Sequence, residues 1–235
     1  MNLILLFHDD LLTHERARIT GRRLRHVLEV HRARVGDELA VGLLGGRIGT
    51  GRVTRLDERA LEMDISLDRD PPAGLPITVI LALPRPKVLR RVLFSMTVMG
   101  IKRVILVNAA RVEKSYWQSP FLQEDSIHRH LVLGLEQARD TMPPGVLFRP
   151  LFKPFVEDEL SDIARGTLAL AAHPSGLESC PRGVAGPVTL AIGPEGGFVP
   201  FEIEKFRFLG FSIVHAGVRV LNVETAVSAL IARLS

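Results

Sequence analysis

The spacing of apolar positions changes once along this chain of 235 residues. Up to about residue 70 the apolar runs are short. Leu39–Leu43, Arg47–Leu56 and Leu61–Leu67 predict strands, broken by Gly42, Gly45, Gly46, Gly49 and Gly51, the pattern of a compact barrel. Ahead of them Thr20 can cap a short helix through Val30 with Leu24, Val27 and Leu28 on its apolar side, and Val35–Glu38 reads as a turn. Asp70–Gly74, with its two prolines, reads as a linker and divides a first domain, residues 1–72, from a second, residues 73–235.

From Pro76 the pattern alternates between buried-strand runs and helical periods, which predicts an α/β domain with a parallel sheet. Ile77–Leu83 is the first such run. Lys87–Met99 is an amphipathic helix with Val88, Leu89, Val92, Leu93, Met96 and Met99 inward and Arg90 and Arg91 outward, stopped by Gly100. Val104–Val107 completes a βαβ unit. A longer helix is expected over Phe121–Arg139. Strands follow at Val146–Arg149, Thr167–Ala172, Val188–Ile192 and Ser212–His215, with helices at Glu157–Arg165, Pro200–Leu209 and Glu224–Leu234.

Composition changes this picture only in part. The apolar run Asn2–Phe7 is too short to span a membrane and lacks the basic flank of a signal peptide, so a cytoplasmic protein with no membrane partner is expected. One cysteine, Cys180, leaves no disulfide framework and no cysteine-rich zinc site, and no metal is expected. The formal net charge is +4, concentrated early: Arg16, Arg18, Arg22, Arg23, Arg25 and His26 fall in one short stretch. Arginine forks suit phosphate oxygens, so this stretch reads either as a nucleic-acid surface or as a solvated basic face.

The candidate chemistry lies in two loops. Leu190–Ile192 runs into Gly193-Pro194-Glu195-Gly196-Gly197-Phe198, and Val220-Leu221 into Asn222-Val223-Glu224-Thr225-Ala226. Each is a strand-like run, a turn and a helical pattern, so both loops can open on the sheet edge where α/β domains bind ligands. Gly196 and Gly197 permit φ > 0 and close approach of a ligand to main chain, whereas an ordinary strand-turn-helix joint also fits the first loop. No Walker loop, dinucleotide fingerprint or Gly-x-Ser-x-Gly elbow occurs. His128 and His130 point to different sides of a helix, which disfavours a zinc pair. Tyr116 and Trp117 suit either base stacking or anchoring of a loop.

Taken together, the basic N-terminal module with Val35-Gly36-Asp37-Glu38-Leu39, then Gly193–Phe198, then Val220–Ala226, resembles the RsmE-type 16S ribosomal RNA uridine-N3 methyltransferases of the SPOUT class, over nearly the whole chain. The resemblance implies a PUA-like β-barrel that binds RNA, followed by a SPOUT-type parallel sheet with a C-terminal trefoil knot. It also implies S-adenosylmethionine as cofactor, small-subunit ribosomal RNA as substrate and a homodimer. Carried over by position, cofactor contacts fall on Ala172, His173, Pro174, Gly193, Glu195, Gly196, Gly197, Leu221, Asn222, Val223 and Thr225. Glu224 and Arg139 are the catalytic candidates, with Arg219 and Lys87 as other cations able to offset charge on uracil O2 or O4. The stripe Ala226, Val227, Leu230, Ile231 and Leu234 suits a subunit interface or an intrachain core.

Two positions depart from the family pattern. Asn222 stands where an arginine is usual, and Glu136-Gln137-Ala138-Arg139 keeps its motif only partly. Leu221-Asn222-Val223 is also similar to the ribose 2′-O-methylating branch of the same class. That activity, and an RNA-binding assembly factor without catalysis, therefore stay open beside the uridine-N3 reading.

Overall fold

The computed structural model describes residues 2–235. They form two compact units, one of residues 2–73 with Leu131–Pro143, the other of Gly74–His130 with Pro144–Ser235.

The first unit is built on a six-stranded sheet: β1 (Ile4–Leu6), β2 (Leu11–Thr13), β3 (Arg16–Ile19), β4 (Glu38–Leu43), β5 (Ile48–Leu56) and β6 (Leu61–Arg69), in the order β1-β4-β5-β6-β3-β2. β1 runs parallel to β4 and the remaining pairs are antiparallel. Alternation drives the pairing. In β3, Ala17 and Ile19 are buried while Arg16 and Arg18 face out. Those inward side chains meet Ile4, Leu6, Val41, Val53, Leu61 and Met63 in one apolar core. Gly49 in β5 is obligatory, because a Cβ there would lie 1.7 Å from the Ser66 carbonyl oxygen of β6. Leu131–Pro143 joins this unit because Val132 and Leu135 pack with Leu3 and Leu5, and the Asn2 and Leu3 N–H groups donate to the Glu136 carbonyl.

Helix α1 (Gly21–His26) starts after Thr20, as the sequence suggests, although the Thr20 side chain accepts no hydrogen bond. It widens into a π turn over Val27–His31 that ends at Arg32 with φ of 52°. Strands β2 and β3 are not legible in the arginine-rich stretch of the sequence. The alternation there is carried by Ala17 and Ile19 alone, under a pattern dominated by charge.

The second unit follows the expected alternation. Its elements are β7 (Leu75–Ala82), α2 (Pro86–Val98), β8 (Ile101–Val107), α3 (Glu124–Ala138, in this unit as far as His130), β9 (Gly145–Arg149), α4 (Phe152–Pro154), α5 (Leu160–Ala164), β10 (Leu168–Ala172), β11 (Glu178–Ser179), β12 (Val188–Ile192), α6 (Pro200–Phe208), β13 (Ser212–His215) and α7 (Val223–Leu234). The sheet order is β11-β13-β10-β12-β7-β8-β9 and every pair is parallel. All five residues of β12 are buried, as a strand covered on both faces requires.

The chain does not lay these strands down in order. β12 inserts between β10 and β7, and β13 adds on the far side of β10, so β13, β10 and β12 lie side by side with their carboxyl ends on one edge. Three loops therefore open at the same place. Helix α7 buries Val223, Val227, Leu230, Ile231 and Leu234 within its own chain, against α2 and β12. Val227, Leu230, Ile231 and Leu234 of the apolar stripe are thus intrachain core, while Ala226 is half-buried.

Candidate active site

The loop after β12 is shaped by its glycines. Gly193 is buried, and a Cβ there would come within 3.0 Å of the Phe198 nitrogen and 3.2 Å of the Gly197 backbone. Gly197 has φ of 72°, a region that L side chains rarely adopt, and its N–H donates to the Pro194 carbonyl at 2.8 Å. The turn is held from outside as well. The Arg85 N–H donates to Glu195 Oε1 at 3.0 Å, and the Arg111 guanidinium donates to the Gly196 carbonyl. Phe198 then anchors the loop in the core, its ring 4.9 Å from that of Phe206.

The loop after β10 presents His173. Its backbone N–H donates to the Val214 carbonyl at 2.9 Å. Nδ1 accepts from the Ser175 N–H at 3.2 Å and lies 2.6 Å from Ser175 Oγ. With Nδ1 accepting, the neutral ring carries its proton on Nε2, the atom a Cβ on Gly197 would approach first, at 3.7 Å. The loop after β13 runs through Gly217 and Arg219 to α7, with Val218 and Val220 exposed.

These loops enclose a cavity of about 410 Å³. Its wall includes Ala172, His173, Pro174, Gly193, Glu195, Gly196, Gly197, Leu221 and Val223 from the expected cofactor set, together with Arg111, His215 and Arg219. Asn222 and Thr225 are not part of it. Instead Asn222 Oδ1 accepts from the Thr225 N–H at 2.9 Å and caps α7.

Neither catalytic candidate is among the residues that line the cavity. Glu224 is ion-paired with Arg91 Nε of α2 at 2.6 Å, and neither it nor Lys87 lines the cavity. Arg139 belongs to the first unit, where it ends α3 in a left-handed conformation with φ of 56°. The cations that the fold brings to the cavity are Arg111 and Arg219. Arg111 escapes sequence reasoning, although the apolar run of β8 ending at Val107 marks Asn108–Val112 as another loop at a strand's carboxyl end.

The six basic residues expected to bind RNA divide by environment. Arg23 is spent on structure. Its Nη2 donates to Asp10 Oδ1 at 2.8 Å, its Nη1 to the Leu5 carbonyl at 2.8 Å, and the guanidinium stacks on Phe7. Arg22 pairs with the buried Glu136 at 2.8 Å, and Arg16 lies 3.5 Å from both Glu62 and Asp64. The half-buried His26 has its pKa lowered from 6.5, first by burial and then by the charges of His31 and Arg22, which favours the neutral ring. Arg18 and Arg25 are exposed and make no ion pair among the described residues.

Tyr116 donates to Glu113 Oε1 and the Trp117 indole N–H to Asn108 Oδ1, both at 3.0 Å, so these rings fix their loop. Cys180 is buried, and burial pushes its thiol pKa up. Among the described residues no group of three or more His, Cys, Asp or Glu is placed to hold a metal ion, and no helix is long and apolar enough to cross a membrane.

A parallel sheet with a glycine-walled cavity at the carboxyl ends of three adjacent strands defines a small-molecule site of the α/β class. Residues 71–235 match the RNA methyltransferase domain family, and the chain belongs to that family as an RsmE-type member of the SPOUT class. Curated relatives include ribosomal RNA small subunit methyltransferase E of Treponema pallidum, 29% identical over 97% of this chain and 88% of the relative. The protein of that name from Mycobacterium tuberculosis is 28% identical over 94% and 87%. Among solved structures, the Neisseria gonorrhoeae ribosomal RNA small subunit methyltransferase E bound to S-adenosyl methionine superposes with a TM-score of 0.70 at 20% identity, covering 98% of this chain and 95% of that one. A Legionella pneumophila methyltransferase in complex with the same cofactor gives 0.73 at 20% identity, with 98% and 95% covered.

Proposed function

We propose that this chain is an S-adenosylmethionine-dependent methyltransferase acting on N3 of a uridine in 16S ribosomal RNA, working in the cytoplasm as a homodimer. The observation that carries the reading is the cavity itself: in a chain of the RNA methyltransferase family, the loops after β10, β12 and β13 meet around one space of about 410 Å³. Two relatives of that family are named for methylation of small-subunit ribosomal RNA, and two proteins of the same fold carry S-adenosylmethionine.

The cavity fits such a ligand. It has the size of a small-molecule site, an apolar side from Ile192, Val223, Ala226 and Leu230, and bare main chain at Gly193 and Gly197. Ala172 to Pro174, Gly193, Glu195 to Gly197, Leu221 and Val223 would hold the cofactor, which supplies an electrophilic methyl group. The protein's task is then to orient the uracil and to support loss of the N3 proton. Arg219 or Arg111 offsets the negative charge that spreads onto O2 and O4 as the proton leaves. N3 lies on the pairing edge, so the target base must be unpaired or flipped out.

The finer architecture belongs to the same proposal. The first unit serves as a PUA-like RNA-binding barrel, supported by its bulged, mainly antiparallel sheet and by exposed Arg18 and Arg25. The segment from β10 to α7 is threaded as a trefoil knot, supported by the insertion of β12 between β7 and β10. The likeness of Leu221-Asn222-Val223 to the ribose-methylating branch loses force, because Asn222 is occupied as the cap of α7.

The test is incubation with unmodified small ribosomal subunits and methyl-labelled S-adenosylmethionine, followed by digestion to nucleosides. Label in 3-methyluridine is the expected result. Label in a 2′-O-methylated nucleoside, or none at all with a cofactor-binding protein, overturns the reading.

A further inference from the structure

We propose that Glu202 is a positioning residue for the cofactor cradle and that it acts through Arg111. The proposal rests on the reading of the cavity as an S-adenosylmethionine site and adds to it a device that sets the cavity's rim.

Glu202 lies in the first turn of α6 and is only 2% exposed. A buried carboxylate is costly unless its oxygens are satisfied, and no cation pairs with this one among the described residues. Two backbone N–H groups satisfy it instead. Oε2 accepts from Val199 at 2.9 Å, the reach-back bond that a glutamate at this helical position makes to its own N-cap residue. Oε1 accepts from Ala110 at 2.7 Å, across 92 residues of sequence.

Only the first bond is needed to cap the helix. The second joins the loop after β8 to the helix that follows the loop after β12, and it is made at the residue next to Arg111. With Ala110 pinned, the Arg111 side chain lies along the glycine turn: its guanidinium donates to the Gly196 carbonyl, and a Cβ on Gly196 would sit 2.9 Å from Arg111 Cδ. One of the five guanidinium donors is used there, which leaves the cation facing the cavity that it lines. A carboxylate with two accepting oxygens is the one side chain of this length that can take both N–H groups. The amide of a glutamine turns an NH2 toward one of them.

The experiment measures cofactor affinity by calorimetry and amide exchange by mass spectrometry in the full chain, for the wild type, Glu202→Gln, Arg111→Ala and the double variant. Losing a charge-assisted hydrogen bond corresponds to roughly tenfold in affinity. Glu202→Gln and Arg111→Ala should each raise the Kd for S-adenosylmethionine about tenfold, and the double variant should be no weaker than either single one. Faster exchange at Ala110 should accompany Glu202→Gln. A role confined to helix stability would lower the melting midpoint of Glu202→Gln and leave its Kd unchanged, and that result overturns the proposal. So do independent effects that multiply to about a hundredfold in the double variant. If Glu202→Gln does not fold, Arg111→Ala decides alone, since its side chain is exposed: wild-type affinity in that variant refutes the coupling. Absence of binding in the wild type sinks the cofactor reading itself, and Ala110 exchange then still reports whether the carboxylate holds the loop.

Discussion

At the scale of single residues, the site depends on where a side chain is missing. Gly196 and Gly210 separate the two reasons a glycine is needed. Gly210 has φ of 82°, and a Cβ there would meet nothing within 4 Å, so it is needed only for its backbone conformation. At Gly196 the φ is one any residue adopts, and the obstacle is Arg111 Cδ at 2.9 Å. Gly210→Ala should therefore cost about 1–2 kcal/mol of stability, the penalty of a left-handed alanine, and leave cofactor affinity alone. Gly196→Ala should stay within about 0.5 kcal/mol in stability, as surface substitutions do, while pushing Arg111 off the turn and weakening cofactor binding several-fold. Denaturant unfolding and titration calorimetry on the two variants check this. Equal affinity in both would mean that Arg111 has no part in the cradle.

At the scale of elements, Asn222 has a structural task of its own. The family resemblance implies cofactor contact at this position, and the Asn222 side chain closes the first turn of α7 through the Thr225 N–H. Asn222→Ala should lower stability by about 1 kcal/mol, whereas Asn222→Asp keeps the acceptor and adds a charge that the helix N-terminus favours. Thermal unfolding distinguishes them, and an alanine variant as stable as wild type would remove the cap from the account. The strands are legible from their buried apolar centres: Val188–Ile192, buried throughout, and Ser212–His215, with Ile213 and Val214 buried between polar ends, have the limits their sequence suggests. Periodicity alone starts helix α3 too early, at Phe121, because Ser119 and Pro120 begin a separate short turn before Glu124. The glycines of the cavity wall are legible from local chemistry. Arg111 is not, since only the order of strands in the sheet reveals that the loop after β8 reaches the loop after β12.

At the scale of the whole molecule, the proposed function divides the work of the two units between charge and shape, and that division has a measurable signature. Phosphate binding releases counterions, so each arginine that contacts RNA contributes about 0.7 to the slope of log affinity against log salt on single strands. Net sequence charge overstates how many do so here, because Arg16, Arg22 and Arg23 are already held by acidic partners and His26 favours its neutral form. Replacing Arg18 and Arg25 together by alanine should therefore weaken RNA binding and reduce the salt slope by about 1.4, twice the single-strand increment, with an unchanged fold. Arg23→Ala should instead unfold the first unit, because it leaves Asp10, 12% exposed, without its partner, a loss that costs about 3–5 kcal/mol for a buried pair. Cofactor affinity should stay constant across the salt series and in the Arg18/Arg25 variant, since glycine backbone and apolar side chains make most of the cavity wall. Filter binding over a range of salt, run beside calorimetry, tests both halves. An Arg18/Arg25 variant that keeps the wild-type salt slope would show that RNA is held by another surface, whatever the basic stretch suggests.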